Sequence, residues 1–221
     1  AITVPSFVTN NSDDNLYIIK DCKPKIIVFE NEIILKRNKK ILSFFDNSRI
    51  ISIEKSKNFL DYENIRKRKQ KKFEIHKIHK KDISTIIYTS GTSGNPKGVV
   101  LSHMAILHNL EAALELLNDF NIDKERFISF LPLSHSYERM AGLFFPLLIK
   151  AEIYFCSSLD KLLMEIKEIR PTIFSAVPRL YENIYKKIKS KLRNSSKIEK
   201  FIMRKVFNYL ENEKQNFTTN I

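Results

Sequence analysis

Ten residues near the middle of the chain concentrate groups that bind phosphate. The sequence has four glycines, and Gly91, Gly94 and Gly98 all lie within residues 89–98. Glycine lets a ligand approach the main chain closely. The segment also carries four hydroxyl groups and one cation, which belong to Thr89, Ser90, Thr92, Ser93 and Lys97. Backbone N–H groups, hydroxyls and a lysine on a tight loop suit a polyphosphate. The composition alone is also compatible with a hydrophilic hairpin loop that binds nothing.

The spacing of this segment differs from that of a Walker loop. A Walker loop has Gly, four residues and then Gly-Lys-Ser/Thr. Here Pro96 stands where the second glycine would follow Gly91, and Lys97 precedes Gly98. This spacing therefore excludes a Walker loop.

The elements that must position the loop are two strands. Residues 83–88 read as a buried strand and residues 99–101 as a second, short one. A loop between two strands has no direct access to a helix dipole. Ser102 can cap the helix that follows, whose apolar residues recur at helical spacing. These are Ile106, Leu110, Ala113, Leu114 and Leu117.

Beyond this helix, strands and helices alternate, which predicts an α/β layered fold with helices on a largely parallel sheet. The predicted strands are 127–131, 153–156 and 172–176. Predicted helices cover 137–149, a stretch beginning after Ser158 and ending at Pro171, one opening at Pro178, and 198–210. Upstream, residues 25–30 and 50–53 are predicted strands, 16–19 a possible edge element, 59–65 a short helix, and 32–45 helix or strand.

The string from Tyr88 to Val99, Tyr-Thr-Ser-Gly-Thr-Ser-Gly-Asn-Pro-Lys-Gly-Val, resembles the phosphate loop of the adenylate-forming enzymes. This superfamily includes acyl-CoA synthetases, luciferases and peptide-synthetase adenylation domains. The resemblance implies that Thr89, Ser90, Gly91, Thr92, Ser93, Gly94 and Lys97 hold the phosphates of ATP. It also implies that Thr89 contacts Mg²⁺.

A second segment, residues 130–139, reads Phe-Leu-Pro-Leu-Ser-His-Ser-Tyr-Glu-Arg. Ligands bind at strand ends in α/β sheets, and a histidine there can be a donor, a general base or a plain loop residue. The segment resembles the Leu-Pro-Leu-x-His-x-x-Glu-Arg pattern of the long-chain fatty acyl-CoA synthetases. The resemblance implies that His135 and Arg139 line the acyl site, with His135 as the catalytic candidate.

A third segment supports the same subfamily. Pro171-Thr172 and the later Val177-Pro178-Arg179-Leu180 resemble its Pro-Thr…Val-Pro-Arg-Leu segment, although an ordinary strand–turn–helix would read alike. The resemblance is strong over residues 82–192. The family's Tyr-Gly-x-Thr-Glu motif, its ribose-binding aspartate and its small C-terminal domain are absent from the sequence. We therefore expect residues 1–81 to be the N-terminal part of the large domain and residues 82–221 its phosphate-loop and acyl-pocket subdomain.

The net charge and the longest apolar run indicate which kinds of partner the chain could bind. The net charge of +13 suggests an anionic partner or a Lys/Asn-rich genome. Residues 66–81 carry nine Lys or Arg and one acid, which is typical of a solvated basic surface loop. Phe73 is the lone aromatic of that run, so we expect no nucleic-acid binding. The longest apolar run, residues 140–149, is too short to span a bilayer.

The two cysteines, Cys22 and Cys156, have no metal-site spacing and indicate a reducing compartment. With no signal-peptide pattern at the N-terminus, we expect a cytoplasmic protein, with peripheral contact to an intracellular membrane left open. The chain lacks an initiator Met, which suggests a piece of a longer protein.

The resemblance predicts part of an ATP-dependent long-chain fatty acid–CoA ligase. Its substrates would be ATP, a long-chain fatty acid and coenzyme A, with Mg²⁺ as cofactor, and this chain alone would be incomplete. The alternative is a non-catalytic basic module that binds anionic lipid or nucleic acid.

Overall fold

The computed structural model describes residues 1–68, 76–89, 95–117, 122–193 and 205, with the backbone alone at 187–188 and 191–193. The chain divides into two compact units, residues 1–174 and 175–221, and each is described by itself. The predicted boundary between residues 81 and 82 stays a prediction.

The first part of unit one builds a small parallel sheet. Strands β1 (Ile27–Phe29), β2 (Ile50–Ser52) and β3 (Leu60–Asp61) lie in that order. The connecting helices are α2 (Glu32–Arg37) and α3 (Lys39–Leu42), followed by a 3₁₀ turn at Asn47–Arg49. The segment whose pattern fitted helix or strand is thus helical up to Leu42.

Two predicted elements of this part differ from the structure. Residues 16–19, predicted as an edge element, lie inside helix α1 (Ser12–Cys22), because the Asn11 side chain caps the backbone N–H groups of Asp13 and Asp14. The predicted helix at 59–65 begins only at α4 (Tyr62–Lys67). Its cap is Asp61, whose carboxylate accepts a hydrogen bond from Asn64 N at 2.7 Å, so the residues before it remain in β3.

The middle of the chain forms an antiparallel hairpin followed by a helix. Strand β4 (Ile83–Thr89) pairs with β5 (Lys97–Ser102), which confirms the two predicted strands. Helix α5 (His103–Leu116) follows at once, and Ala105 N donates to the Ser102 hydroxyl at 3.2 Å. The predicted cap is confirmed.

A second parallel pair carries the next candidate segment. Strand β6 (Arg126–Ser129) pairs with β7 (Glu152–Phe155), and between them run α6 (Ser136–Glu138), a π-helix (Arg139–Phe144) and α7 (Phe145–Leu148). The predicted helix at 137–149 is confirmed, with one wide turn that the sequence pattern did not indicate.

The region after β7 contains two corrections. Helix α8 (Leu162–Ile169) begins later than predicted, because Lys161 N donates to the carbonyl of Ser158 in a turn that precedes it. The predicted strand at 172–176 is reduced to a single bridge between Ile173 and Phe127. A short apolar run needs a full-length neighbour to become a strand, and here only one residue pairs.

The core of unit one lies between α5 and the β6–α7 region. Ile106 and Leu110 of α5 pack with Phe127 and Phe145, and the two phenylalanine rings meet edge to face at 6.1 Å. Ala113, Leu114 and Leu117 pack against this cluster, so the predicted apolar face of α5 is confirmed.

In the second unit, helix α9 (Pro178–Arg193) begins at the predicted proline. Leu180 and Ile184 are half-buried, whereas Tyr181, Glu182 and Lys186 are exposed, which is the amphipathic division that the sequence indicates. The predicted helix at 198–210 lies outside the described residues except for Lys205.

The α/β class is confirmed. Among the described strands, however, the parallel pairs belong to two small sheets, and the hairpin β4–β5 forms a third. In the described part of the chain, no helix is both long enough and apolar enough to cross a membrane.

Candidate functional site

The ends of the hairpin strands hold the base of the candidate phosphate loop. Thr89 is the last residue of β4 and pairs with Lys97, the first residue of β5. Directly paired residues of antiparallel strands project to the same face, so the Thr89 hydroxyl and the Lys97 ammonium group leave the sheet on one side. Both residues are exposed. The loop thus connects two strands, as the sequence predicted.

The next pair inward fixes the hairpin to helix α1. The Tyr88 hydroxyl donates to Asp21 Oδ2 at 2.5 Å, and burial, with that hydrogen bond, raises the pKa of the phenol. Its ring lies across Gly98, where an added Cβ would approach Tyr88 Cζ and Ile86 Cγ2 at 3.0 Å. Gly98 therefore serves the packing of the hairpin base, beside any role in binding phosphate.

The chain before α1 forms a wall along β4. Thr3 N donates to the carbonyl of Ser84 at 3.2 Å, and Ile86 N donates to the carbonyl of Thr3 at 3.0 Å. The Thr85 hydroxyl adds a bond to the same Thr3 carbonyl at 2.7 Å. Residues 5–7 follow and line the cavities beside this edge.

One cavity of about 510 Å³ brings the two sequence-predicted segments together. Its lining includes Thr89 and Pro96 from the hairpin, His135 from the loop after β6, Phe7 from the N-terminal segment and Asp14 from α1. The loop base and the histidine are 46 positions apart in sequence, counted as 135 minus 89. Their shared cavity follows from the fold, and a concave pocket lined by a few polar groups is the usual form of a small-molecule site.

His135 stands at the start of α6. Its backbone N–H donates to the carbonyl of Pro132 at 2.9 Å, and its own carbonyl accepts from Arg139 N at 3.0 Å. The exposed imidazole meets the Phe7 ring edge-on, with 4.5 Å between centroids. The ring is therefore oriented at the cavity yet open to a ligand.

Arg139 lines a different cavity. This second cavity, of about 600 Å³, has Thr3, Phe7, Ile19, Cys22 and Arg139 among its lining residues. One terminal nitrogen of Arg139 donates to the Thr3 hydroxyl at 2.8 Å, its guanidinium lies 5.5 Å from the centre of the Phe144 ring, and its buried Nε has no hydrogen-bond partner. Burial lowers the pKa of this guanidinium. The structure thus places His135 and Arg139 on neighbouring cavities that share the wall formed by residues 5–7.

Five of the predicted phosphate-binding residues cannot be placed. Ser90, Gly91, Thr92, Ser93 and Gly94 lie outside the described residues. Of the predicted loop, Thr89 and Lys97 are described. Within the described part of the chain, no group of three or more His, Cys, Asp or Glu side chains is arranged to hold a metal ion.

Two described residues of the first cavity carry oxygen atoms that suit a hard cation. Mg²⁺ binds through oxygen ligands and usually keeps several waters, using one or two protein carboxylates or hydroxyls beside the phosphates. The Thr89 hydroxyl and the Asp14 carboxylate line the same cavity. Thr89 would supply one ligand to such an ion.

Sequence reasoning missed several residues that shape this site. The N-terminal segment through Phe7 was simply mixed and polar in sequence, and nothing in it indicated pairing with β4. Tyr88 and Asp21 could not be linked from a sequence separation of 67. Glu138 was visible in the motif but had no assigned role, and the structure buries it completely.

Curated relatives match a large share of the chain. Long chain acyl-CoA synthetase 3 of Arabidopsis thaliana is 37% identical over 145 residues, which is 63% of this chain and 21% of that protein. Long chain acyl-CoA synthetase 1 of the same plant is 28% identical over 212 residues, covering 92% of this chain and 32% of that protein. The chain thus spans between a fifth and a third of the length of these relatives.

Solved structures share the fold at low identity. An anthranilate CoA ligase in complex with anthranoyl-AMP superposes with a TM-score of 0.71 at 22% identity, over 82% of this chain and 36% of that one. The o-succinylbenzoate coenzyme A synthetase of Bacillus subtilis, in complex with ATP and a magnesium ion, superposes with a TM-score of 0.63 at 18% identity. That match covers 88% of this chain and 36% of that one.

The match to a protein family extends over nearly the whole chain. The model of the AMP-binding enzyme family matches residues 1–207. The relatives and the shared fold confirm the resemblance to adenylate-forming acyl-CoA synthetases that the loop and the His135 segment indicated. The chain belongs to the AMP-binding enzyme family.

Proposed function

We propose that this chain is part of an ATP-dependent long-chain fatty acid–CoA ligase. The fatty acid carboxylate attacks the α-phosphorus of ATP, an acyl-adenylate forms and pyrophosphate leaves. The thiol of coenzyme A then attacks the acyl carbonyl, and AMP leaves. The observation that carries the proposal is the single cavity lined by Thr89, at the base of the phosphate loop, and by His135.

The hairpin supplies the nucleotide side of the site. Lys97, at the start of β5, offers an exposed ammonium group on the same face as the Thr89 hydroxyl. A lysine near the phosphates stabilises the charge that develops as pyrophosphate departs. When bound, Mg²⁺ would neutralise phosphate charge, with Thr89 as one of its contacts. The loop residues 90–94 would complete the cradle with backbone N–H groups and hydroxyls.

The loop after β6 supplies the acyl side. His135 lines the same cavity, and Arg139 lines the adjoining apolar one. The long-chain acyl-CoA synthetases among the relatives support a long-chain fatty acid as the substrate. The names of these relatives, which are acyl-CoA synthetases, also support coenzyme A as the second substrate.

The chain alone would not complete this reaction. The Tyr-Gly-x-Thr-Glu motif, the ribose-binding aspartate and the small domain with its lysine do not occur in these 221 residues. We assign these parts to the complete protein. The relatives are long enough to contain them, because the match covers only 21% of long chain acyl-CoA synthetase 3.

We also propose a cytoplasmic location for the complete protein. The exposed lysines of α9, such as Lys186 and Lys189, would allow peripheral contact with an anionic membrane surface. Binding of nucleic acid is not part of the proposal.

Replacing His135 in the complete protein tests the acyl side of the proposal. We expect His135→Ala to lower kcat/KM for the fatty acid by about tenfold or more, about 1.4 kcal/mol of transition-state stabilisation, while KM for ATP stays near that of the wild type. Steady-state kinetics with each substrate varied in turn would measure both. The matched control is His108→Ala, an exposed histidine of α5. A change confined to ATP kinetics would move the His135 segment to the nucleotide side.

A further inference from the structure

A buried carboxyl group lies directly behind the turn that carries His135. Glu138 has no exposed surface, and the buried Ser129 hydroxyl, at the end of β6, donates to its Oε1 at 2.6 Å. Burying a carboxyl group is costly unless hydrogen bonds compensate it. A residue of this type in the interior of a short helical turn therefore indicates a specific role for its contacts.

The π-helix leaves room for this carboxyl group. Gly142 packs against Glu138, and an added Cβ at that position would lie 2.7 Å from Glu138 Cδ and 3.2 Å from the Ser129 hydroxyl. No side chain larger than hydrogen fits there without displacing the carboxyl group. Gly142 and Ser129 together thus define one position for Glu138, between β6 and the π-helix.

The same turn fixes the backbone of His135. Arg139, the residue after Glu138, donates its N–H to the His135 carbonyl at 3.0 Å, and His135 N donates to Pro132 at 2.9 Å. The turn is therefore tied to the sheet at its inner end through Glu138, while its outer end presents the imidazole to Phe7 and the cavity. Displacing the inner end would move the outer one.

We propose that Glu138 is a positioning residue, which holds the turn of His135 against the end of β6 and so sets the imidazole at the cavity that Thr89 also lines. The role acts through hydrogen bonding and packing, so a glutamine, whose amide oxygen can accept from Ser129, retains most of it. Its kinetic consequence rests on the proposed function, whereas its structural consequence does not.

The structural test is NMR of the 221-residue chain, whose five histidines give few imidazole signals. We expect nuclear Overhauser contacts between the His135 and Phe7 rings in the wild type and in Glu138→Gln, and their loss in Glu138→Ala. The ring contact between Phe127 and Phe145 serves as an internal control of the core. Glu115→Ala, at an exposed glutamate of α5, is the matched control variant.

Retained contacts between His135 and Phe7 in a folded Glu138→Ala variant would overturn the proposal, as would a glutamine variant no better than the alanine variant. If Glu138→Ala does not fold, Ser129→Ala decides, because it removes the hydrogen bond and leaves the carboxyl group in place. We expect it to weaken the His135–Phe7 contacts. Unchanged contacts in that variant would overturn the proposal equally.

The kinetic test uses the complete protein. We expect Glu138→Ala to lower kcat/KM for the fatty acid by about 10- to 100-fold, the scale of a small misplacement of a reacting group, and to leave KM for ATP unchanged. Glu138→Gln should recover most of the loss. Unchanged kinetics together with lost His135–Phe7 contacts would support the positioning role and contradict the proposed role of His135, so the two failures are distinguishable.

Discussion

At the scale of single residues, the site depends on contacts behind the groups that would meet the ligand. Thr89 and Lys97 are exposed, but the pair next to them, Tyr88 and Gly98, is packed ring against backbone and bonded to Asp21 of α1. The candidate phosphate loop thus connects two strand ends that this packing and this hydrogen bond hold in place.

Tyr88→Phe tests this base. The variant keeps the ring and loses the hydrogen bond to Asp21, so we expect a loss of about 1 kcal/mol in the free energy of unfolding at neutral pH. Urea unfolding of wild type and variant in parallel would measure it. An unchanged free energy at neutral pH would show that the bond adds nothing to stability.

The same pair of proteins should differ in pH dependence. Burial raises the pKa of the Tyr88 phenol above its ordinary value of 10.0. In the unfolded chain the phenol ionises near that value, whereas in the folded chain it keeps its proton. The contribution of Tyr88 is therefore full below pH 10.0 and is lost as pH rises beyond it, so the advantage of wild type over Tyr88→Phe should shrink there. A constant difference between about pH 8 and about pH 11 would contradict this account.

At the scale of elements, the hairpin and α5 form one continuous unit. Ser102 ends β5 and also caps α5 through its hydroxyl. The cap fixes the direction in which α5 leaves the sheet, and so places Ile106 and Leu110 in the core.

Ser102→Ala should lower stability by about 1 kcal/mol, the usual cost of removing a serine cap, because the backbone N–H of Ala105 loses its partner. Thermal unfolding followed by circular dichroism would measure the change. Ser102→Asp, which retains a capping oxygen, is the control and should stay close to the wild type. An alanine variant as stable as the wild type would show that packing alone sets the start of α5.

The elements that could be predicted are those that depend on residues close together in the sequence. The hairpin strands, the cap at Ser102, the apolar face of α5 and the start of α9 at Pro178 each depend on neighbours within one or two turns or along one strand. The predicted strand at 172–176 failed because a strand also needs a partner, and only Ile173 finds one in Phe127. The predicted edge element at 16–19 failed for another reason, because the cap at Asn11 starts a helix that includes these residues.

The sequence indicated which residue types the candidate site contains, but it did not indicate which other residues pack around them. The loop and the His135 segment were visible as residue types at fixed spacing. The wall from Thr3 to Phe7 and the bond between Tyr88 and Asp21 join residues far apart in sequence, where no local pattern reports the pairing. Nor did the spacing of His135 and Arg139, four positions apart, indicate that they line two neighbouring cavities.

At the scale of the whole molecule, the 221-residue chain would carry only part of the catalytic machinery. Adenylate formation needs charge neutralised from several directions at once, and groups that act together lose far more than one contact each when partners are missing. We expect the purified chain to show no fatty-acid-dependent exchange between ATP and pyrophosphate, with the complete protein assayed in parallel as control. Exchange at the rate of the complete ligase would mean that the catalytic residues lie within this chain.

The central claim is that the hairpin loop binds the phosphates of ATP, and calorimetric titration of the complete protein with ATP tests it most directly. Lys97 is exposed at the start of β5, so its replacement should leave the fold intact. We expect Lys97→Ala to weaken ATP binding by roughly 1–3 kcal/mol, the range for a hydrogen bond to a charged group. The matched control Lys55→Ala, at an exposed lysine after β2, should bind as the wild type does. Unchanged affinity in Lys97→Ala would contradict the assignment of this loop.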